Sequence, residues 1–250
     1  MEHRRIRAYE LINRPLNKIG LELTVARKAQ GMFHKRIRLL SKIGFTPRTV
    51  FDTGAFVGQW TANTATVFPD AKFVLIEPDP LSMQSARQLL TGYTPTPAFV
   101  EAAVGAIAGT ANLNIWNPEA GQGSSLLGNV AGAPRQTVEV TVTTLDAIAA
   151  DIGRFPELVK LDLQGFELEA LKGAGRVLAE ARVVIIEFGC LPAYIDRVSP
   201  RELLDYMYDS GFVLYDVFDL IYRPYDGALT GGDFIFVKKD DDLRSYAGYA

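Results

Sequence analysis

Residues 49–80, TVFDTGAFVGQWTANTATVFPDAKFVLIEPDP, carry the pattern that most constrains how this chain can fold. Val50 and Phe51 close an apolar run that reads as a buried strand, and residues 52–58 form a turn of small residues. Residues 59–67 have helical character, and residues 72–76 make a second apolar run ending in Glu77. Strand, tight turn, helix, strand and acid is the layout of a nucleotide pocket. Gly54 can take a left-handed backbone, and Gly58 lets the helix close on the sheet with no Cβ in the way. Glu77 lies 19 residues past Gly58, where an acid at the end of the second strand meets a ribose diol.

The turn departs from a dinucleotide site. Its spacing is Asp52-x-Gly54-x-x-x-Gly58, not G-x-G-x-x-G, and an acid precedes the glycines. A carboxylate there repels a pyrophosphate but can accept a hydrogen bond from an ammonium group. S-adenosylmethionine (SAM) has a ribose and an amino-acid tail but no phosphate, and its carboxylate can face the amides at the start of the following helix. The turn therefore favours SAM over NAD. A βαβ turn that binds nothing is the simpler reading of the same residues.

A chain of 250 residues, 48% apolar and 22% charged, can bury a full core as one soluble α/β domain. Cys190 is the single cysteine, so no internal disulfide forms and a reducing compartment is expected; its apolar neighbours predict a core thiol. No apolar run has the length of a membrane span and no signal-peptide h-region is visible, which reads as cytoplasmic. The net charge of −3 hides an asymmetry: residues 1–48 hold 12 Lys/Arg against 3 Asp/Glu, the rest 14 against 26. The division expected is a basic helical extension over residues 1–44, a catalytic domain over 45–240 and a tail over 241–250. The extension reads as two helical pieces broken near Pro15, with Ala26, Ala29, Phe33, Ile37 and Leu40 on one face of the second. It can pack on the domain edge, cover the substrate, meet a peripheral anionic membrane surface, or mediate homo-oligomer contacts. Nucleic acid is disfavoured, because the body is acidic and lacks interleaved stacking aromatics.

Farther along, the patterns predict a helix over 80–90, strands over 98–103 and 111–116, and a long loop over 118–134. Within that loop Ser124 and Ser125 belong either to a substrate-side segment or to a simple linker. A strand over 138–142 precedes a helix capped by Thr143 or Thr144. Strands over 158–163 and 183–186 flank a helix over 166–181, and a helix over 201–209 leads to an antiparallel pair, 212–218 and 233–238, turning at Asp226-Gly227.

Ligands sit beyond the carboxyl ends of strands in open parallel sheets, and four acids fall there: Asp52, Glu77, Asp162 and Glu187. Helix capping is the alternative role, above all for Glu187. Both histidines, His3 and His34, lie in the basic arm, so no Ser-His-Asp set is visible; nor is a Walker lysine, a CxxC or an HExxH.

The motif residues Phe51-Asp52-x-Gly54-Ala55-x-x-Gly58, the run 76–80 (IEPDP) and the segment 160–174 (KLDLQGFELEALKGA) resemble the FkbM family of SAM-dependent methyltransferases. Residues 144–146 (TLD), Ser124-Ser125 and Ile186-Glu187 match the same pattern, over about residues 45–238. The resemblance implies a Rossmann-like seven-stranded class I methyltransferase fold with an antiparallel last strand. It also implies O-methylation of a small-molecule hydroxyl, on a sugar or on a glycosylated or polyketide natural product. Candidate cofactor residues are Asp52, Gly54, Ala55, Phe56, Gly58, Gln59, Trp60, Glu77, Pro78, Ala103 and Asp162. An alcohol is a poor nucleophile while protonated, so a base within hydrogen-bond reach is expected, Asp162 first and Glu187 second. The same two carboxylates are the candidates for holding Mg²⁺, and Glu167 is either a third ligand or a brace at its helix start. The competing readings are a NAD-dependent oxidoreductase, which lacks its glycine pattern here, and a non-catalytic SAM- or lipid-binding module.

Overall fold

The computed structural model describes residues 27–116, 124–130, 132–191 and 193–245. The break expected near Pro15 and the tail beyond Ser245 lie outside them, as do the side chains of Ala26, Ala29 and Phe33. Among the described residues ten strands run in the order β1 (Thr49–Thr53), β2 (Lys72–Ile76), β3 (Ala98–Val100), β4 (Ala103–Val104), β5 (Gly109–Ile115), β6 (Gln136–Thr143), β7 (Leu158–Leu161), β8 (Val183–Gly189), β9 (Phe212–Tyr222) and β10 (Leu229–Lys238). Seven α-helices accompany them among the described residues. They are α1 (Arg27–Lys42), α2 (Gln59–Ala65), α3 (Pro80–Leu89), α4 (Leu145–Ile152), α5 (Glu167–Lys172), α6 (Gly175–Glu180) and α7 (Pro200–Asp209).

The main sheet has the order β3-β2-β1-β7-β8-β10-β9. All its neighbours pair in parallel except β10, which is antiparallel to both β8 and β9. Strands buried on both faces need apolar residues at every position, so each side chain belongs to one of two cores by its parity. Phe51, Val74, Ile76, Val159, Leu161, Val184 and Ile186 face α4 to α7. Val50, Phe73, Leu75, Leu158, Val183 and Ile185 face the other side, with Ile37 and Leu40 of α1 and Ala62 of α2. Helix α1 is therefore core: Ile37 is fully buried, and the helix also packs on β9, tied by Arg36 to Asp216 at 3.2 Å.

Three expectations change. The single strand over 98–103 is two: the chain leaves the main sheet after Val100, and Ala103–Val104 joins β6 and β5 in a small second sheet over Leu113, Ile115, Val140 and Val142. The helix over 166–181 is broken at Gly173, where a Cβ would collide with the Gly105 carbonyl, so the backbone crosses there unhindered. Asp146 then accepts from Arg176 N and Val177 N and starts α6 afresh, while the predicted cap Thr144 accepts from Ala147 N. Cys190 sits just past β8 and is exposed, not buried.

Candidate functional site

At the carboxyl ends of β1, β2, β7 and β8 lies a cavity of about 510 Å³. Crossovers in a parallel sheet place loops, and so polar side chains, at that edge. The first wall is the turn after β1. Gly54 (φ 75°), Phe56 (φ 49°) and Gly58 (φ 79°) all have left-handed backbone, and a Cβ on Gly54 would overlap the Asp162 carbonyl. Glycine at 54 thus brings two strand ends together. At Gly58 a Cβ would lie 3.2 Å from that of Ala86 on α3 and 3.3 Å from Leu75 on β2.

Glu77, at the end of β2, is held from both sides. Its Oε2 accepts from Phe56 N at 2.9 Å and its Oε1 from Asp79 N at 3.0 Å. Burial pushes this carboxyl up to about 7, against the two amides that favour its charged form. Its oxygens keep lone pairs for further donors, and Glu77 and Pro78 line the cavity.

Opposite stands a connected polar group. The turn after β7 places Gln164 in the left-handed region (φ 53°), followed by Gly165 at φ 104°. Glu167, fully buried, accepts from Leu163 N at 2.9 Å and Gly165 N at 3.0 Å and so braces that turn. The Gln164 amide then donates to Asp162 Oδ1 at 2.8 Å and to Glu187 Oε2 at 3.1 Å. Tyr194 donates to Gln164 Oε1 at 3.0 Å, which fixes the amide's orientation. Burial, then the neighbouring Asp162 and Glu167 carboxylates, push the Glu187 carboxyl well above its ordinary value; Arg197 at 3.3 Å opposes them. Burial likewise carries Asp233 on β10, paired in register with Glu187, up to about 7.

Behind the cavity Lys160, on β7 beside Asp52 of β1, contacts Asp52 at 3.4 Å, Asp162 at 3.2 Å and the Gly54 carbonyl at 3.1 Å. Burial alone would lower its ammonium, but the Asp162 and Asp52 carboxylates outweigh that and raise it.

Of the residues singled out from sequence, Gly54, Phe56, Glu77, Pro78, Ala103, Ser124, Ser125, Asp162 and Glu187 line this one cavity. Asp52 does not: it is fully buried, and the ammonium it meets is that of Lys160, with Thr61 donating at 2.7 Å. Ala55 and Trp60 pack in the core beside α1, and Gln59 is exposed on α2. Ser125 is an anchor: its hydroxyl donates to the Gln164 carbonyl at 3.0 Å and accepts from Leu127 N at 3.0 Å. Lys160, Gln164, Tyr194, Arg197 and Asp233 were given no role from sequence. Only Lys160 signals itself, as a lone charge in an otherwise apolar strand. The carboxylate oxygens at this site do not fit Mg²⁺, since the Gln164 amide bridges Asp162 and Glu187 while Lys160 and Arg197 take their flanks. Among the described residues no cluster of three metal-ligating side chains occurs, and no helix is long and apolar enough to cross a membrane.

Residues 52–214 match the Methyltransferase FkbM domain. No curated protein matches the chain in sequence. Among solved structures the fold is similar to that of a candidate O-methyltransferase from Klebsiella pneumoniae, with TM-score 0.51 and 13% identity over 92% of this chain and 89% of that one. It is also similar to a candidate RNA methyltransferase from Pyrococcus horikoshii, with TM-score 0.50 and 12% identity over 86% and 83% of the two chains. At such identities the likeness is one of fold, the Rossmann-like class I methyltransferase arrangement.

Proposed function

The chain belongs to the FkbM methyltransferase family and is a SAM-dependent methyltransferase; from that premise we propose that it methylates a hydroxyl oxygen of a small molecule, a sugar or a glycosylated or polyketide natural product. The observation that carries the reading is the carboxylate pair Asp162–Glu187, joined through Gln164 on one wall of the cavity that Glu77 also lines.

The residues present fit SAM. Glu77 has acceptor capacity left for a ribose diol, and Thr53 lines the cavity with a buried hydroxyl that has no partner. The volume of about 510 Å³ is that of a small-molecule site. When bound, SAM supplies an electrophilic methyl on a sulfonium. The chain's part is alignment and proton removal. Glu77 would orient the ribose, and the apolar wall of Leu126, Leu163, Phe166 and Ile221 would exclude water and seat the carbon frame of an acceptor. Glu187 takes the acceptor's proton: burial makes it the stronger base, and Gln164 aims its Oε2. Asp162, ion-paired to Lys160, stays as the second acceptor of the Gln164 amide and the alternative base. The basic extension is read as packing on the domain through α1, with the residues before α1 contributing a cover to the acceptor side.

The test is a panel of hydroxylated acceptors scored by S-adenosylhomocysteine release, with the methylated atom located by NMR. Transfer to oxygen that drops about 10²–10⁴-fold in Glu187→Gln or Asp162→Asn, and that EDTA leaves unchanged, is the expected result. Methylation at nitrogen, or activity lost to EDTA and restored by Mg²⁺, would refute it.

A further inference from the structure

We propose that Arg197 is a positioning residue of the methyl transfer, its guanidinium slotted over Gly189 to hold the Glu187 carboxylate in place and to oppose the acids around it. The proposal rests on the reading of Glu187 as the base.

The slot is built from two glycines, Gly189 and Gly165. A Cβ on Gly189, at the end of β8, would overlap Cζ and Nη1 of Arg197, and would come within 2.6 Å of its Nε. A Cβ on Gly165, on the other side, would lie 3.0 Å from its Cγ. Arg197 leaves only a tenth of its side chain exposed there, with Nη2 at 3.3 Å from Glu187 Oε2. Its Nε is buried without a hydrogen-bond partner, so hydrogen bonding alone does not account for the position. The charge around Glu187 does. It faces Asp162 and the Gln164 amide from the turn after β7, Asp233 from β10 and Glu167 from α5. Arg197 reaches it from beyond β8, and Tyr194, bonded to Gln164, is pushed up to about 12 by burial and by Glu187 itself. Of the groups that act most strongly on Glu187, Arg197 is the one cation. Without the guanidinium, burial and three carboxylates all act to protonate the base, and a protonated carboxyl removes no proton.

Gly189 lacks a left-handed backbone, and the three atoms nearest an added Cβ all belong to Arg197, at the far end of a flexible side chain. Gly189→Ala therefore displaces the guanidinium without deleting it. The measurement is an infrared pH titration of the carboxyl groups of the full chain, with the Glu187 signal identified by its loss in Glu187→Gln. Arg197→Met and Gly189→Ala should each move the Glu187 midpoint up by about 1–3 pH units, the range for an opposite charge within reach of a carboxylate. Arg197→Lys should recover part of the shift, and Gly189→Ala should add nothing once residue 197 is methionine. An unmoved midpoint in Arg197→Met, or an equal effect of Gly189→Ala in both backgrounds, overturns the proposal. Full methyl transfer by Glu187→Gln would instead overturn the base assignment, and the titration result distinguishes that case.

Discussion

Glu77 and Lys160 show how single residues couple stability to the site. The Glu77 carboxyl at about 7 means that the folded chain holds a proton which the unfolded chain, at the ordinary value near 4.5, has lost. The sign follows: the stability from this group is complete below about 4.5 and is lost as pH rises through about 7. Ligand binding runs the other way, because an ionised carboxylate is the better acceptor for hydroxyl donors. Calorimetric titration should therefore show SAM affinity weakening as pH falls through 7. Glu77→Ala should lose about 1–3 kcal/mol of it and flatten the pH dependence; an unaltered affinity would remove Glu77 from the ribose site. Lys160→Met leaves the buried Asp52 carboxylate without its cation and should cost about 3–5 kcal/mol in denaturant unfolding. Adding Asp52→Asn should return part of that loss, since both partners are then gone. Glu77 was legible in the sequence because a nucleotide unit has a fixed length. The partner of Asp52 was not, because it lies 108 positions away and becomes a neighbour only through strand register.

Helix α1 was legible as an amphipathic element, and its buried positions Ile37 and Leu40 follow from the 3.6-residue period. What it packs against was not legible, since the core cluster it joins includes Phe218 and Ile235 of β9 and β10 at the other end of the chain. Ile37→Ala should destabilise the protein by about 2–5 kcal/mol, the range for truncating a fully buried aliphatic side chain. A loss below 0.5 kcal/mol, the size of an ordinary surface change, would mean that α1 is an appendage. The break between α5 and α6 belongs to the same scale. Helical period runs through residues 166–181 without interruption, and only the Gly105 carbonyl crossing at Gly173 divides it.

At the scale of the whole molecule the basic arm stands apart by its charge. Residues 27–48 hold seven of its twelve cations and no acid, and Arg36 is already committed to Asp216. Removing residues 1–26 should leave SAM affinity intact while raising KM for the acceptor, as loss of a cover would. Salt-sensitive binding to anionic vesicles, abolished by the same deletion, would instead make the arm a membrane contact.

The sequence by itself determined the βαβ unit, the parallel strands and their terminal acids, because period and glycine spacing are local and a parallel sheet always sends its strand ends to one edge. Tertiary structure alone decided which acid meets which cation. Asp52 turns to Lys160 and away from the cavity because parity along β1 puts it on the α2 side of the sheet. Gln164 and Arg197 reach Glu187, and Tyr194 holds Gln164, because a braced turn and the chain beyond β8 converge there. Such contacts depend on directions in space that residue order does not contain.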